Sequence, residues 1–286
     1  MTDDAPPASS SNDPRPFGRA VLIASHRRSG THLLIDLLRK QFDACRSYKR
    51  LGEPRDRLYL AIDDLPCPGR GHTRHSPESA REIVARPQRP ILKTHFLPDL
   101  KPVADAHPDF IHDLTHGADR CYVVRDGRTV LCSLFAYARL FSEPPTFPEF
   151  LRQRTEGLSR PAHWARHVRA WRDQPGVLTV TYESIVKDTR ATLDRLAQHL
   201  GHTPRYRTPL LPKRLRSVWR GRLDRLLATR PESTAIIGIL KTPRWQSLFT
   251  ADDARYFEQE TDGLLAELGY ASDTDWTDQL TPPSTA

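Results

Sequence analysis

The sequence predicts an α/β fold of three layers, a central parallel sheet flanked by helices. Three observations carry this expectation. Short, mostly apolar runs at Arg19–Ser25, Pro90–Thr94, Arg120–Val124 and Val177–Thr181 have the character of strands buried on both faces. Segments of helical periodicity lie between and after them. The longest uncharged apolar stretch, Ala235 to Leu240, falls far short of the ~20 residues that a bilayer-crossing helix needs.

Taken in order, residues 1–16 are Pro, Ser, Asp and Asn and read as a disordered lead without the basic-then-apolar pattern of a secretory signal. The first strand runs through a loop, His26 to His32, into a helix over Thr31–Phe42 with Leu33, Leu34, Leu37, Leu38 and Phe42 on one side. Residues Gly52 to Pro90, rich in Pro, Arg and His, fit no sheet pattern. A helix over Thr129–Phe141 follows the third strand. Ala162–Asp173 spaces Trp164, Val168 and Trp171 as a buried stripe, and Thr189–Leu200 does the same with Leu193, Leu196 and Leu200. A second irregular region spans Thr203 to Ser233, and residues 272–286 form a flexible tail. The expected organisation is one domain over 17–271 whose long irregular segments cover a site.

The chain has 286 residues and a formal net charge of +8. From Thr203 to Pro231 nine basic residues face one acid, Asp224, so this stretch alone accounts for the +8 and the remainder is neutral. The charge is therefore local. No RNA- or DNA-binding motif accompanies it, which argues against nucleic acid as a partner. It reads instead as a basic lid or insertion over 203–233. Cys45, Cys67, Cys121 and Cys132 are scattered without a Cys-x-x-Cys pair, as in a reduced, cytoplasmic protein.

A strand, a tight Gly-containing loop and a helix N-terminus form a ready anion site, because free N–H groups and the positive helix end face outward. Arg28 adds charge, and Ser29 and Thr31 add hydroxyls. The plain structural alternative is that Ser29 or Thr31 merely caps the helix. The loop lacks the Gly-x-x-x-x-Gly-Lys-[Ser/Thr] pattern, and no strand-end Asp stands ready for magnesium, which counts against a P-loop nucleotide kinase.

Arg28-Ser29-Gly30-Thr31 resembles the 5′-phosphosulfate loop of sulfotransferases that use 3′-phosphoadenosine 5′-phosphosulfate (PAPS). Further stretches follow in that family's order. Lys93-Thr94-His95 resembles its Lys-x-His strand end, and Tyr122 through Ser133 its 3′-phosphate segment, with Arg125 and a Ser eight residues later. Trp171 through Val180-Thr181-Tyr182-Glu183 resembles the element near the adenine, and Trp245 to Tyr270 the C-terminal end. The resemblance implies a P-loop-like α/β fold and transfer of the sulfuryl group of PAPS to a hydroxyl or amine of a small-molecule acceptor, releasing PAP. It implies nucleotide contacts from Arg28, Ser29, Gly30, Thr31, His32, Arg125, Ser133 and Tyr182. It leaves room for a homodimer.

The chemistry asks for donors at the leaving phosphate oxygen, where charge accumulates, and Arg28, Lys93 and the loop amides fit that role without a metal. His95 is the expected general base, and Glu53 is the rival for that part. Two departures stand out. Family members commonly carry a Trp where this chain has Leu33, leaving Tyr182 to contact the base. The usual Arg-Lys-Gly-x-x-Gly before the C-terminal Trp is absent, so Lys241 and Arg244 are the expected substitutes for its phosphate contacts. The helically spaced pairs His112/His116 and His163/His167 lack a third ligand, and no metal site is assigned. The remaining alternative to an enzyme is a non-catalytic anion- or nucleic-acid-binding protein.

Overall fold

All four apolar runs pair as strands of one parallel sheet. In the computed structural model the described residues are 18–48, 53, 55–69, 73–141, 145–209, 242–272, 276–277 and 280. The lead over 1–16, most of the basic stretch, Lys241 and most of the tail lie outside them. The sheet has five parallel strands, β1 (Val21–Ser25), β2 (Leu60–Ala61), β3 (Ile91–Thr94), β4 (Asp119–Val124) and β7 (Val177–Thr181), in the order β2-β3-β1-β4-β7. β1 is central, with Val21 opposite Ile91 on one side and Asp119 on the other. A separate two-stranded hairpin joins β5 (Arg154–Thr155) and β6 (Leu158–Ser159).

Helices cover both faces: α1 (Thr31–Gln41), α2 (Pro77–Val84), α3 (Lys101–Ala104), α4 (Pro108–Thr115), α5 (Gly127–Ala138), α6 (Phe147–Arg152), α7 (Arg160–Arg172), α8 (Tyr182–Lys187), α9 (Thr189–Leu200), α10 (Ala251–Thr261) and α11 (Leu264–Glu267). Successive strand residues point to opposite faces, so β1 feeds two cores. Val21 and Ile23 join Leu34, Leu38, Leu193 and Leu196 of α1 and α9 on one face. Leu22 and Ala24 join Leu131, Trp164, Val168 and Phe257 of α5, α7 and α10 on the other. Trp164 and Trp171 are core residues, as the stripe predicts.

Two expectations need correction. The region from Gly52 to Pro90 is not wholly irregular: Leu60 and Ala61 pair with Leu92 and Lys93 as an edge strand. It also holds α2, whose start is fixed by the Ser76 hydroxyl, which accepts from the Ser79 N–H at 3.2 Å, and by Pro77 at the first position. Secondly, α5 begins at Gly127, two residues before the expected start, because the Asp126 carboxylate accepts from the Arg128 N–H. Gly127 is obligatory there, since a Cβ would lie 2.8 Å from the Trp164 ring.

Candidate active site

In an open parallel sheet, ligands collect beyond the carboxyl ends of the strands. Four of these ends converge here. β1 ends at Ser25 and opens into the Arg28 loop; β3 ends at Thr94 and presents His95; β4 ends at Val124 and presents Arg125; β7 ends at Thr181 and presents Tyr182. The loop turns through two left-handed residues, Arg28 at φ 71° and Gly30 at φ 105°. Gly30 is required twice, because a Cβ would also stand 2.5 Å from Cδ2 of Tyr182. The same Tyr182 ring lies under the Arg125 guanidinium, 4.2 Å from its centroid. Arg125 Nη1 donates to the Arg28 carbonyl at 3.1 Å, and Arg28 Nε donates to Ser133 Oγ at 3.1 Å, which leaves the Ser133 hydrogen to donate elsewhere. The Arg28 guanidinium also lies over Tyr137, 4.9 Å from its ring centroid.

The helix-capping alternative fails. Thr31 Oγ1 pairs with Ser25 Oγ, Gly30 supplies no side-chain cap, and Ser29 Oγ is buried without a hydrogen-bond partner among the described residues. Arg125 Nε is in the same condition. Buried polar atoms are rarely left unsatisfied in a native fold. These two lie at the loop and at the neighbouring strand end. Beside Arg125, a cavity of about 390 Å³ is lined by Thr129, Thr242, Arg244 and Gln246.

At the end of β3, His95 Nδ1 donates to the Ser25 carbonyl at 2.7 Å, which leaves the lone pair on Nε2. Burial, reinforced by the charge of Lys93, holds its pKa well below the ordinary histidine value, so the imidazole is neutral at pH 7. Burial also lowers the Lys93 pKa, against the pull of Asp63 and Asp64. His32 is pushed down to about 3 by burial and the nearby charges of Lys93 and Arg28.

The sulfotransferase domain model matches residues 19–222. This chain belongs to the sulfotransferase family. A 3-alpha-hydroxysteroid sulfotransferase of Cavia porcellus is 30% identical over 86 residues, 28% of this chain and 30% of that protein. Sulfotransferase 1A1 of Rattus norvegicus is 23% identical over 191 residues, 64% of this chain and 60% of that protein. These matches span from about a third to three fifths of the relatives' lengths. A mouse sulfotransferase, SULT7A1, complexed with PAP, superposes with a TM-score of 0.52 at 16% identity, covering 93% of this chain and 90% of that one, and shares its fold.

Within this fold the expected site residues fall into two groups. Arg28, Ser29, Gly30, Thr31, Arg125, Ser133 and Tyr182 stand around the loop, joined by the contacts above, and Lys93, His95 and His32 stand beside it, linked by charge. Arg244 reaches the Arg125 cavity, whereas Lys241 lies outside the described residues. Leu33 packs against the core on the α1 face, and Tyr182 occupies the space beside Gly30. Glu53 commits both oxygens to Arg86, at 2.7 and 2.8 Å, a poor state for a general base.

His167 uses both nitrogens, donating from Nε2 to the His95 carbonyl at 3.1 Å and accepting at Nδ1 from the Tyr122 hydroxyl at 3.0 Å. His112 and His116 stack at 4.8 Å. No group of three metal-capable side chains occurs among the described residues. Sequence reasoning missed Asp63, Thr129 and Tyr137. Only Thr129 carried a local signal, one helical turn after Arg125.

Proposed function

We propose that this sulfotransferase moves the sulfuryl group of PAPS to a hydroxyl or amine of a small-molecule acceptor, releasing PAP. The observation that carries the reading is the pair of buried, unpartnered donors, Ser29 Oγ and Arg125 Nε, flanking the uncapped N-terminus of α1. Such donors suit two phosphate groups, one at the loop and one at the end of β4. PAPS supplies the activated sulfuryl group.

Arg28, Lys93 and the loop amides bear on the leaving phosphate oxygen as charge builds there, and this set needs no metal. Arg125, Ser133, Thr129 and Arg244 hold the 3′-phosphate. Tyr182 braces Arg125 and offers its ring to the adenine. His95 Nε2 takes the acceptor's proton as the new S–O bond forms, and its Nδ1–H bond to Ser25 fixes the tautomer. A hydroxyl acceptor agrees with the hydroxysteroid sulfotransferase among the relatives. No helix among the described residues is long and apolar enough to cross a membrane. All four cysteines are free thiols, which supports a cytoplasmic setting.

Incubation with sulfur-labelled PAPS and a cell extract in EDTA should give a labelled product and stoichiometric PAP. The His95→Ala variant should lose transfer by about a hundredfold or more while PAP affinity changes little. Full activity in that variant removes His95 from the mechanism, and magnesium-dependent phosphoryl transfer from ATP instead points to a kinase.

A further inference from the structure

Asp63 has no part in the proposed transfer chemistry, although it is a buried acid bonded to the end of β3. It sits in the short helical turn Ile62–Asp64 that follows the edge strand β2, and it is 6% exposed. Both of its oxygens accept hydrogen bonds. The His95 N–H donates to them at 2.9 and 3.1 Å, and Thr94 Oγ1 donates to one at 2.8 Å. Thr94 Oγ1 in turn accepts from the Phe96 N–H at 3.0 Å, so one carboxylate organises Thr94, His95 and Phe96. β2 pairs Ala61 with Lys93, and the turn that carries Asp63 follows directly after it.

We propose that Asp63 is a positioning residue for the transfer step, fixing the backbone that carries His95 and setting a carboxyl group near the Lys93 ammonium. The inference rests on the roles given above to Lys93 and His95. The physical reason is that a buried ammonium loses its proton readily unless an anion stands nearby. Of the charged and titratable groups that act on Lys93 or feel its charge, Asp63 and Asp64 favour the ammonium, whereas Arg27 and Arg74 oppose it; His32 and His95 are neutral at pH 7. Of the two acids, Asp63 alone also bonds the strand end among the described contacts.

The test is Asp63→Asn, nearly isosteric, read in two ways. The first is the pH titration of the Lys93 ε-carbon by NMR, assigned by its loss in Lys93→Arg. The second is the pH profile of kcat. In D63N the Lys93 titration should move down by about one pH unit, a tenfold change in its proton affinity. The alkaline limb of kcat should move down by the same amount, and PAP affinity should change less than kcat. Asp63→Glu, which keeps the charge, should restore the titration even where kcat stays low, and it serves as the folded comparison if D63N does not fold: a Lys93 titration about one unit below wild type in D63E would contradict the charge role. A Lys93 titration and kcat profile that coincide in D63N and wild type overturn the proposal. The NMR reading is independent of turnover, so absence of sulfuryl transfer in the wild type would remove the functional reading while still deciding what Asp63 does to Lys93.

Discussion

The two ends of the sheet treat arginine in opposite ways. At the amino end, Arg89 precedes β3 and has every donor group engaged by the protein: Nε on the Arg19 carbonyl at 3.0 Å, Nη1 on the Leu200 carbonyl at 2.9 Å and Nη2 on Asp119. Asp119 also accepts from Arg19. At the carboxyl end, Arg125 stacks on Tyr182 and makes one backbone hydrogen bond, while its Nε is buried with no partner among the described residues. The first arrangement is closed and ties β1, β3, β4 and α9 together. The second is left open at the cost of unsatisfied polar atoms. The difference separates a residue that holds the fold from one whose open donor suits a ligand.

Mutation and pH can break this contrast. Arg89→Ala leaves Asp119 buried with part of its partnership lost and should lower the unfolding free energy by about 3–5 kcal/mol. Urea titration would show this, and PAP affinity of the folded protein should be unchanged; weakened PAP binding would mean that the two ends are coupled. Acidification attacks the other end. His32 and His167 are pushed down to about 3 and about 4, chiefly by burial, whereas the unfolded chain takes up their protons below about pH 6.5. Their stabilisation is complete above that pH and declines as the pH falls toward 4, by about 1.4 kcal/mol each at pH 5.5, or ~3 kcal/mol together. His26 and His95, lowered by burial too, act in the same direction. Thermal melts between pH 8 and 5.5 that stayed level would contradict this. Gly30→Ala should have a smaller effect on stability but weaken PAP binding by ~1–3 kcal/mol, because it forces a side chain into left-handed backbone and against Tyr182. Calorimetry with PAP measures that loss, and unchanged affinity would separate the loop conformation from nucleotide binding.

The sheet was legible wherever a strand was long enough to announce itself. Val177–Thr181 and the helix Thr189–Leu200 have the bounds that their apolar spacing predicts. β2 escaped because a two-residue strand has no period to detect, and its pairing with β3 is a tertiary fact. For α2 the Ser76–Pro77 start signal was present, but it was masked by the surrounding Pro, Arg and His. In the site, residues next to a strand end were readable, as with Arg28, His95 and Arg125. Asp63 was not, since its partners lie 31 and 32 positions away in sequence and no local spacing links them. Glu53 shows the converse: a carboxylate suited to catalysis by type is tied to Arg86, 33 positions on.

The position of Tyr182 also sets a schedule for the newborn chain. Gly30, His95 and Arg125 all leave the ribosome before it, yet its ring is what packs against Gly30 and supports Arg125. It arrives directly after β7, the edge strand among the described residues, which pairs with β4. A nascent polypeptide that stops short of this strand has the Arg28 loop in its sequence, but it lacks the aromatic ring that packs against Gly30 and Arg125. Translation therefore delivers the proposed nucleotide seat late, after His95, the proposed general base, has already been made.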